Sequence, residues 1–143
     1  MNYTIATVKL PTVREAKGRK NQSPAEMAEN CKDMKSLAQE TFQILTLNGR
    51  NQIINRHLIT LGLLDSSLVH PREVFRPAIQ DSAASIILLH NHPSGITEPS
   101  EADKVVTSRL VKCGELLEIK VLDHLIIATD GFFSFLEKGL LNK

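Results

Sequence analysis

Two histidines separated by one residue, His90 and His92, and an aspartate eleven residues further on, Asp103, form the most informative pattern in the sequence. A short apolar run, SIILLH, ends at His90 and predicts a buried strand. Because residues two apart on an extended chain point to the same face, both imidazoles should project together from the end of this strand. Two imidazoles and a carboxylate match the ligand number of a catalytic zinc site, which leaves a fourth position for water.

The element after this strand must bring Asp103 back over the strand end. A proline-serine pair ending at Ser100 opens a predicted helix, and Asp103 lies one turn inside it. Each half of the pattern has a simpler explanation, because Ser100 with Asp103 is a common capping box and a lone strand-end histidine is usually only a polar terminus. The combined pattern, H-x-H-x₇-S-x-x-D, should arise by chance in roughly one such chain in several thousand. The combination therefore predicts a metal centre.

Apolar periodicity and turn residues divide the rest of the chain into alternating elements. Asn48-Gly49 between two apolar runs predicts a hairpin, since both residues tolerate the positive φ angles of tight turns. Pro77 should kink or end its helix early, and Gly114 occupies the position of a helix C-cap. The predicted strands cover residues 3–10, 41–47, 52–60, 85–90 and 117–128, the last of them central. The predicted helices open at residues 23, 70 and 99, the first running towards residue 37, and an amphipathic tail over 132–141 forms the last.

The order β-α-β-β-α-β-α-β-α predicts a mixed α/β domain with one sheet sandwiched by helices. A chain of 143 residues with 42% hydrophobic residues can bury a single core without disulfides. Cys31 and Cys113 fit no cysteine-based zinc pattern, and we interpret them as reduced thiols. A net charge of +1 provides no general attraction for nucleic acid, and no apolar run is long enough to span a bilayer. We therefore expect a single cytoplasmic domain over residues 1–143.

The pattern H-x-H-x₇-S-x-x-D is the signature of the JAMM (MPN+) metalloproteases, and its surroundings resemble the RadC-like branch of that family. The resemblance runs from about residue 23 to the C-terminus through VHPREVF (69–75), HNHPSG (90–95) and LDH (122–124). It implies a JAMM/MPN-like fold, with a mixed sheet sandwiched by helices in cytidine-deaminase-like layers. It also implies Zn²⁺ bound by His90, His92 and Asp103, with the Ser100 hydroxyl near the metal-bound water or the developing oxyanion. Longer RadC-like members carry an N-terminal helix-hairpin-helix region, which we expect to be absent here.

JAMM enzymes also use a glutamate well upstream of the ligands as general base, and this chain has ten glutamates. Glu98 and Glu101 lie close to the ligands but at a helix entry, where exposed acidic residues are routine, and Glu73 occupies a similar position. Glu40 stands directly before a predicted strand, and its E-T-F sequence matches the E-x-F at which RadC-like proteins carry their glutamate. By this resemblance we assign Glu40 as the base. The implied reaction is zinc-assisted hydrolysis of a peptide or isopeptide bond.

Two other functions remain open from the sequence. RadC-like proteins are traditionally labelled DNA-repair proteins, so the chain could be a DNA-processing accessory, although its small net charge makes nucleic acid a doubtful partner. It could also be a non-catalytic MPN-like scaffold, but scaffold members usually lose the metal ligands. The expected substrate is an unidentified peptide or protein, no membrane partner is expected, and a homodimer is the default oligomer. His124 could orient a metal ligand or be a satisfied core histidine.

Overall fold

The computed structural model describes residues 23–65 and 67–141, which form a five-stranded sheet, three α-helices and a 3₁₀-helix. The strands are β1 (Thr41–Leu47), β2 (Ile53–Leu61), β3 (Ser85–Asn91), β4 (Lys120–Ala128) and β5 (Gly131–Ser134). The helices are α1 (Pro24–Asn30), the 3₁₀-helix (Lys32–Ser36), α2 (Pro71–Gln80) and α3 (Glu101–Leu117). None of the helices in these ranges has the length and apolar character needed to cross a bilayer. The strand predicted over residues 3–10 lies outside the described residues.

The order of the strands in the sheet is β2-β1-β3-β4-β5. β3 and β4 run parallel, and the other neighbouring pairs run antiparallel. Parallel neighbours need a crossover connection, which α3 supplies. The chain therefore leaves the end of β3 and enters α3 above the same edge of the sheet. This connection brings the end of the histidine-bearing strand close to the start of the helix that carries the aspartate.

Helices cover both faces of the sheet, as the sequence predicts. The side chains of Ile44, Ile86 and Leu88 join a buried cluster with α2 and α3 on one face. Leu45 and Ile87 join a second cluster with α1 and the 3₁₀-helix on the other. All seven residues of β3 are buried, and this two-sided burial explains the uninterrupted apolar sequence before His90. The expected mixed α/β sandwich is confirmed.

The predicted hairpin between β1 and β2 is also confirmed, with a turn that extends beyond Asn48-Gly49. The Asn48 side chain accepts hydrogen bonds from the backbone N–H groups of Arg50 and Gln52. Asn51, rather than Gly49, adopts the left-handed conformation, with φ of 58°. An asparagine side chain that mimics the backbone therefore organises this turn.

Two helices differ from their predicted lengths. α1 ends at Asn30 instead of continuing towards residue 37, and a 3₁₀-helix takes over after Cys31. Pro77 lies inside α2 without ending it, because the helix continues to Gln80. A proline removes its own N–H donor and crowds the carbonyl four residues before it, but one further turn can follow where tertiary packing holds the helix, and here Ala78 is fully buried.

The expected helix C-cap at Gly114 is wrong. α3 continues to Leu117, and Glu118 ends it in the left-handed conformation, with φ of 56°. Gly114 is buried, and a Cβ there would lie 2.5 Å from the backbone oxygen of Ile119. The glycine is therefore required for the close approach of the chain that enters β4, and the strand predicted from residue 117 begins at Lys120.

The amphipathic tail is not a helix, which corrects the last predicted element. Gly131–Ser134 forms β5, an antiparallel partner of β4 that makes β4 an interior strand, and turns follow to the end of the described chain. Phe132 packs against the cluster beneath α1, whereas Phe133 packs against the cluster beneath α2 and α3. Because these two neighbouring residues lie on opposite faces of the sheet, the start of the tail follows the two-residue period of a strand.

Asp81 ties the end of α2 to the sheet. Its carboxylate accepts hydrogen bonds from the Thr46 hydroxyl at 2.7 Å and the Asn55 amide at 3.2 Å, and lies 2.7 Å from His57 Nε2. Burial alone would raise the pKa of Asp81, but these three contacts hold it below its ordinary value. Because α2 leads directly into β3, this anchor helps to set where β3 enters the sheet.

We expect Gly114→Ala to destabilise the fold by about 1–2 kcal/mol, because the added Cβ overlaps the backbone oxygen of Ile119. The helix propensity gained from alanine, about 1 kcal/mol, is too small to offset this overlap. Gly49→Ala is the matched control, since a Cβ there meets no atom within 4 Å. Urea denaturation compares the two variants, and equal stabilities would contradict the close approach.

Asp81→Asn should lower the free energy of unfolding at pH 7 by about 1–2 kcal/mol, because an amide cannot accept all three contacts. The pKa of Asp81 is lowered in the folded state, so its contribution is present above the unfolded pKa of about 3.9. That contribution is lost as the pH falls through the folded pKa. The gap between wild type and variant in urea denaturation should therefore narrow from pH 7 to pH 3, and a constant gap would refute this role.

Candidate metal centre

His90 and His92 lie where the sequence places them, at the end of β3. His90 pairs with Phe42 of β1 in the antiparallel register, and the His92 N–H donates to the Ile127 oxygen at 2.9 Å, which extends the pairing with β4. Both rings are on the face of the sheet that α3 covers, with centroids 4.7 Å apart. The alternation of an extended chain thus brings the two imidazoles together as predicted.

Asp103 completes the cluster from the first turn of α3. Its Oδ1 lies 2.9 Å from His90 Nδ1, and its Oδ2 lies 3.2 Å from His92 Nε2. One potential ligand atom from each of the three residues falls within 4.8 Å of the others. The Asp103 side chain has 0% exposure, and His90 is almost equally buried. The structure therefore brings together all three residues that the sequence singles out as ligands.

Several atoms of this cluster are buried without a hydrogen bond. Among the residues that the structure describes, both ring nitrogens of His90 and Oδ1 of Asp103 have no hydrogen-bond partner, although Nδ1 and Oδ1 are only 2.9 Å apart. Buried polar atoms are rarely left in this state, and atoms that are close without the directions of a hydrogen bond suit a shared third partner. Nitrogen and oxygen donors converging in this way fit a divalent cation. The group formed by His90, His92 and Asp103 could therefore hold a metal ion.

The charges in the cluster are mutually stabilised. Burial by itself would raise the pKa of Asp103, but the contacts with His90 and His92 and the hydrogen bond from Ser100 N–H hold it well below its ordinary value. Asp103 in turn raises the pKa of His92, against the opposing effect of burial. The carboxylate is thus ionised across the physiological range, as a metal ligand must be.

Glu40 lies beside the cluster, immediately before β1. Its Oε2 is 3.4 Å from His90 Nε2 and accepts a hydrogen bond from the backbone N–H of Leu64 at 2.9 Å. The Glu40 carbonyl accepts a second hydrogen bond, from Gly62 N–H at 2.8 Å. Within the described part of the chain, Oε1 makes no hydrogen bond. The loop that follows β2 therefore holds Glu40 firmly through one oxygen and leaves the other free.

Ser100 is the N-cap of α3. Its Oγ accepts a hydrogen bond from Asp103 N–H at 3.1 Å, and its own N–H donates to Asp103 Oδ2 at 2.8 Å. The capping box and the carboxylate of the histidine cluster therefore use the same two residues. Ser100 is exposed, and its hydroxyl hydrogen has no acceptor among the residues that the structure describes. This hydroxyl can still donate to a group that approaches from solvent.

The other glutamates that the sequence offers as alternatives lie away from this arrangement. Glu101 is exposed and pairs with Lys104 at 3.1 Å. Glu73 and Glu98 are exposed, and neither has a contact with the cluster. Of the four glutamates considered from the sequence, Glu40 contacts the cluster.

Asn91 helps to position Glu40, a role that the sequence analysis did not predict. Its Oδ1 accepts hydrogen bonds from the Thr41 N–H at 2.7 Å and the Thr41 hydroxyl at 2.6 Å, and its Nδ2 donates to the Gln39 oxygen at 2.9 Å. These bonds tie the end of β3 to the residues on either side of Glu40. A polar residue between two histidines at the end of an apolar strand is a signal, because buried amides are kept where they are fully hydrogen-bonded.

His124 is a fully buried neighbour of the cluster on β4. Its ring stacks on Phe135 with centroids 4.6 Å apart, and its centroid lies 6.3 Å from that of His90. Burial lowers the pKa of His124 to about 3, with the nearby His90 acting in the same direction. His124 is therefore neutral at physiological pH. Its ring nitrogens are not part of the group that could bind a metal.

A mixed sheet between helices, with a His-x-His strand end facing an aspartate in the next helix, defines a JAB-type domain. Residues 21–140 match the RadC-like JAB domain family, so the chain belongs to this family. The match covers β1 to β5 and every residue of the cluster.

Relatives of the chain include proteins named UPF0758. One from Bacillus pumilus is 51% identical over 109 residues, which are 76% of this chain and 49% of the relative. Others from Clostridioides difficile and Bacillus cereus are 50% and 54% identical, over 76% and 75% of this chain and 46% and 48% of each relative. The chain spans about half the length of these curated relatives.

We expect His92→Ala to weaken binding of Zn²⁺ or Co²⁺ by more than about 100-fold, because the loss of a direct ligand should exceed the 10–100-fold typical of outer partners. His57→Ala is the matched control, since His57 pairs with Asp81 outside the cluster. Isothermal titration with metal-free protein and elemental analysis of the purified variants measure the effect. An H92A variant that retains one metal ion per chain would overturn the assignment.

Proposed function

We propose that this domain is a zinc-dependent hydrolase of the JAMM type, which cleaves a peptide or isopeptide bond. The observation that carries the proposal is the set of buried, unpartnered His90 and Asp103 atoms directly beside a glutamate. When bound, Zn²⁺ would lower the pKa of a coordinated water and polarise the scissile carbonyl. The His90, His92 and Asp103 side chains would hold it, and three protein ligands leave one position open for chemistry.

Glu40 is the proposed general base. Its Oε2 is anchored by Leu64 N–H, so the free Oε1 can take the proton of the attacking water and return it to the leaving amine. The side chain is about one-fifth exposed, so water can reach the carboxylate while the protein fixes its direction. The arrangement supports a proton carrier more than a fourth ligand, because Glu40 stands outside the three-residue group.

Ser100 is the proposed donor to the oxyanion. Asp103 N–H holds its Oγ in place, and the hydroxyl hydrogen remains available to the substrate carbonyl as negative charge develops there. One well-placed donor of this kind contributes about 3 kcal/mol to transition-state stabilisation in other hydrolases. In this assignment Ser100 caps α3 by accepting a hydrogen bond and stabilises the oxyanion by donating one, so the two roles are compatible.

An open groove of about 400 Å³ leads to Glu40 and is the proposed path of the substrate. Its lining consists of residues 38–40 together with Gly62, Leu63, Pro93 and Ser94. In this proposal an extended peptide segment lies in the groove and reaches the cluster beside Glu40. A larger groove between α2 and α3 is almost wholly apolar and contains none of the proposed catalytic residues.

Glu40→Gln should abolish hydrolysis while leaving zinc content unchanged, because the amide cannot accept a proton but occupies the same space. We expect a fall in rate of at least about 100-fold, the usual contribution of a general base. The assay incubates zinc-loaded protein with a random peptide library and a set of lysine-branched isopeptides, with cleavage read by mass spectrometry. A chelator should remove the wild-type activity, and added Zn²⁺ should restore it.

The matched control is Glu73→Gln, an exposed glutamate in the first turn of α2 that has no contact with the cluster. Glu73→Gln should cleave at the wild-type rate. Cleavage by Glu40→Gln at that same rate would contradict the proposed base. A wild type that holds zinc yet cleaves neither substrate set would refute the proposed peptide and isopeptide chemistry.

A further inference from the structure

His124 and Thr107 form a buried hydrogen-bonded link between β4 and α3. Thr107 Oγ1 lies 2.6 Å from the backbone oxygen of Asp103 and also 2.6 Å from His124 Nδ1. Thr107 is one turn after Asp103 on α3, and His124 pairs with Leu88, two residues before His90, in the register of β3 and β4. This link therefore connects the backbone of Asp103 to β4, the parallel neighbour of the strand that ends at the two histidines.

The hydrogen atoms in this link can be assigned from the contacts alone. A carbonyl oxygen carries no hydrogen, so the 2.6 Å contact between Thr107 and Asp103 needs the single Thr107 hydroxyl hydrogen. The 2.6 Å contact between Thr107 Oγ1 and His124 Nδ1 must then use a hydrogen on Nδ1. His124 is thus the donor, Thr107 relays the bond, and the Asp103 backbone oxygen is the final acceptor.

The other nitrogen of His124 supports the same tautomer. Nε2 is buried and has no hydrogen-bond partner in the described part of the chain. A neutral imidazole carries one ring hydrogen, so with that hydrogen on Nδ1 no N–H of the ring is left buried without an acceptor. The ring is confined by stacking against Phe135 and by an edge contact with Phe42, at centroid distances of 4.6 and 5.7 Å. Rotation to exchange the two nitrogens would require this aromatic slot to open.

We propose that His124, as the neutral Nδ1–H tautomer, and Thr107 act as a positioning pair. Their hydrogen bonds to the Asp103 backbone fix the first turn of α3 and so set where the Asp103 carboxylate lies relative to His90 and His92. The inference rests on the proposed function in taking Asp103 as a metal ligand. It also assigns His124 no direct part in metal binding or proton transfer, since one nitrogen is committed to Thr107 and the ring is sealed from solvent.

The first test concerns the metal-free protein and needs no variant. Two-bond ¹H–¹⁵N correlation spectra of histidine-labelled protein at pH 7 distinguish the two neutral tautomers of His124. The expected result is a protonated Nδ1 and a bare Nε2. The opposite tautomer, or a mixture of the two, would overturn the hydrogen-bond order on which the pair depends.

The second test uses Thr107→Val, which keeps the shape of the side chain and removes the hydroxyl. Affinity for Zn²⁺, measured by competition with a chromophoric chelator, should fall by about 10–100-fold, the usual cost of removing a group that orients a ligand. Thr107→Ser restores the hydroxyl and should bind within about threefold of wild type. In Thr107→Val the His124 spectrum should also lose the signature of a hydrogen-bonded Nδ1–H.

Thr46→Val is the matched control, because Thr46 is equally buried and its hydroxyl also donates one hydrogen bond, to Asp81, and accepts another, from Asn55 N–H. It should lose stability without losing zinc affinity. If wild type binds zinc and Thr107→Val binds it equally well, positioning is refuted. If wild type binds no zinc, the proposed function fails, while the tautomer spectrum of the metal-free protein still decides the order of the link.

Discussion

Asp103 is a carboxylate with no exposure to solvent, and the arrangement of the site follows from the need to compensate its charge. An unpaired ion in such a place would cost several kcal/mol. The chain offsets this cost with two imidazoles, the Ser100 N–H and the partial positive charge of a helix start. Because these groups come from β3 and from the entry to α3, compensation of one charge forces the two elements into contact.

On the opposite face of the sheet, a second set of hydrogen bonds positions Glu40. Asn91 points away from the histidines and binds the residues that flank Glu40, while the loop after β2 holds the Glu40 side chain. The end of β3 therefore positions Glu40 on one side and presents two imidazoles on the other. Three segments that are distant in sequence meet because β1 and β3 are neighbours in the sheet and α3 crosses over it.

The parts of this structure that depend on local periodicity could be predicted from the sequence. The alternation in SIILLHNH and the serine-to-aspartate spacing locate the three residues of the cluster, because both are properties of a single element. The position of Glu40 needed resemblance to a family, since it depends on how β1 and β3 pair. Gly114 was misread because its role is set by a backbone oxygen five residues ahead, and no local rule describes that approach.

The tail over residues 132–141 was also mispredicted, because its conformation depends on contacts with a distant part of the chain. A stretch with apolar residues at short intervals fits a helix and a strand almost equally well, and only the open edge of β4 decides between them. The state of His124 was beyond prediction for a related reason. Its partners Thr107 and Phe135 lie in different parts of the chain, and its tautomer follows from the Thr107 hydroxyl hydrogen, which is already donated to the Asp103 backbone oxygen.

Ser100 and Asp103 cap α3 with hydrogen bonds that also hold the carboxylate of the cluster, so selection for the helix and selection for the cluster act on the same two residues. If the proposed metal site were lost in a descendant, the serine and the aspartate would remain under selection, because the helix needs its cap. His92 has no comparable second role, since within residues 23–65 and 67–141 the hydrogen bonds of its ring go to the Ile96 carbonyl and to Asp103. On the proposed function, position 92 would therefore be freer to change than positions 100 and 103 once the metal was no longer used. Its identity would then be a better marker of a retained metal site than the S-x-x-D pair.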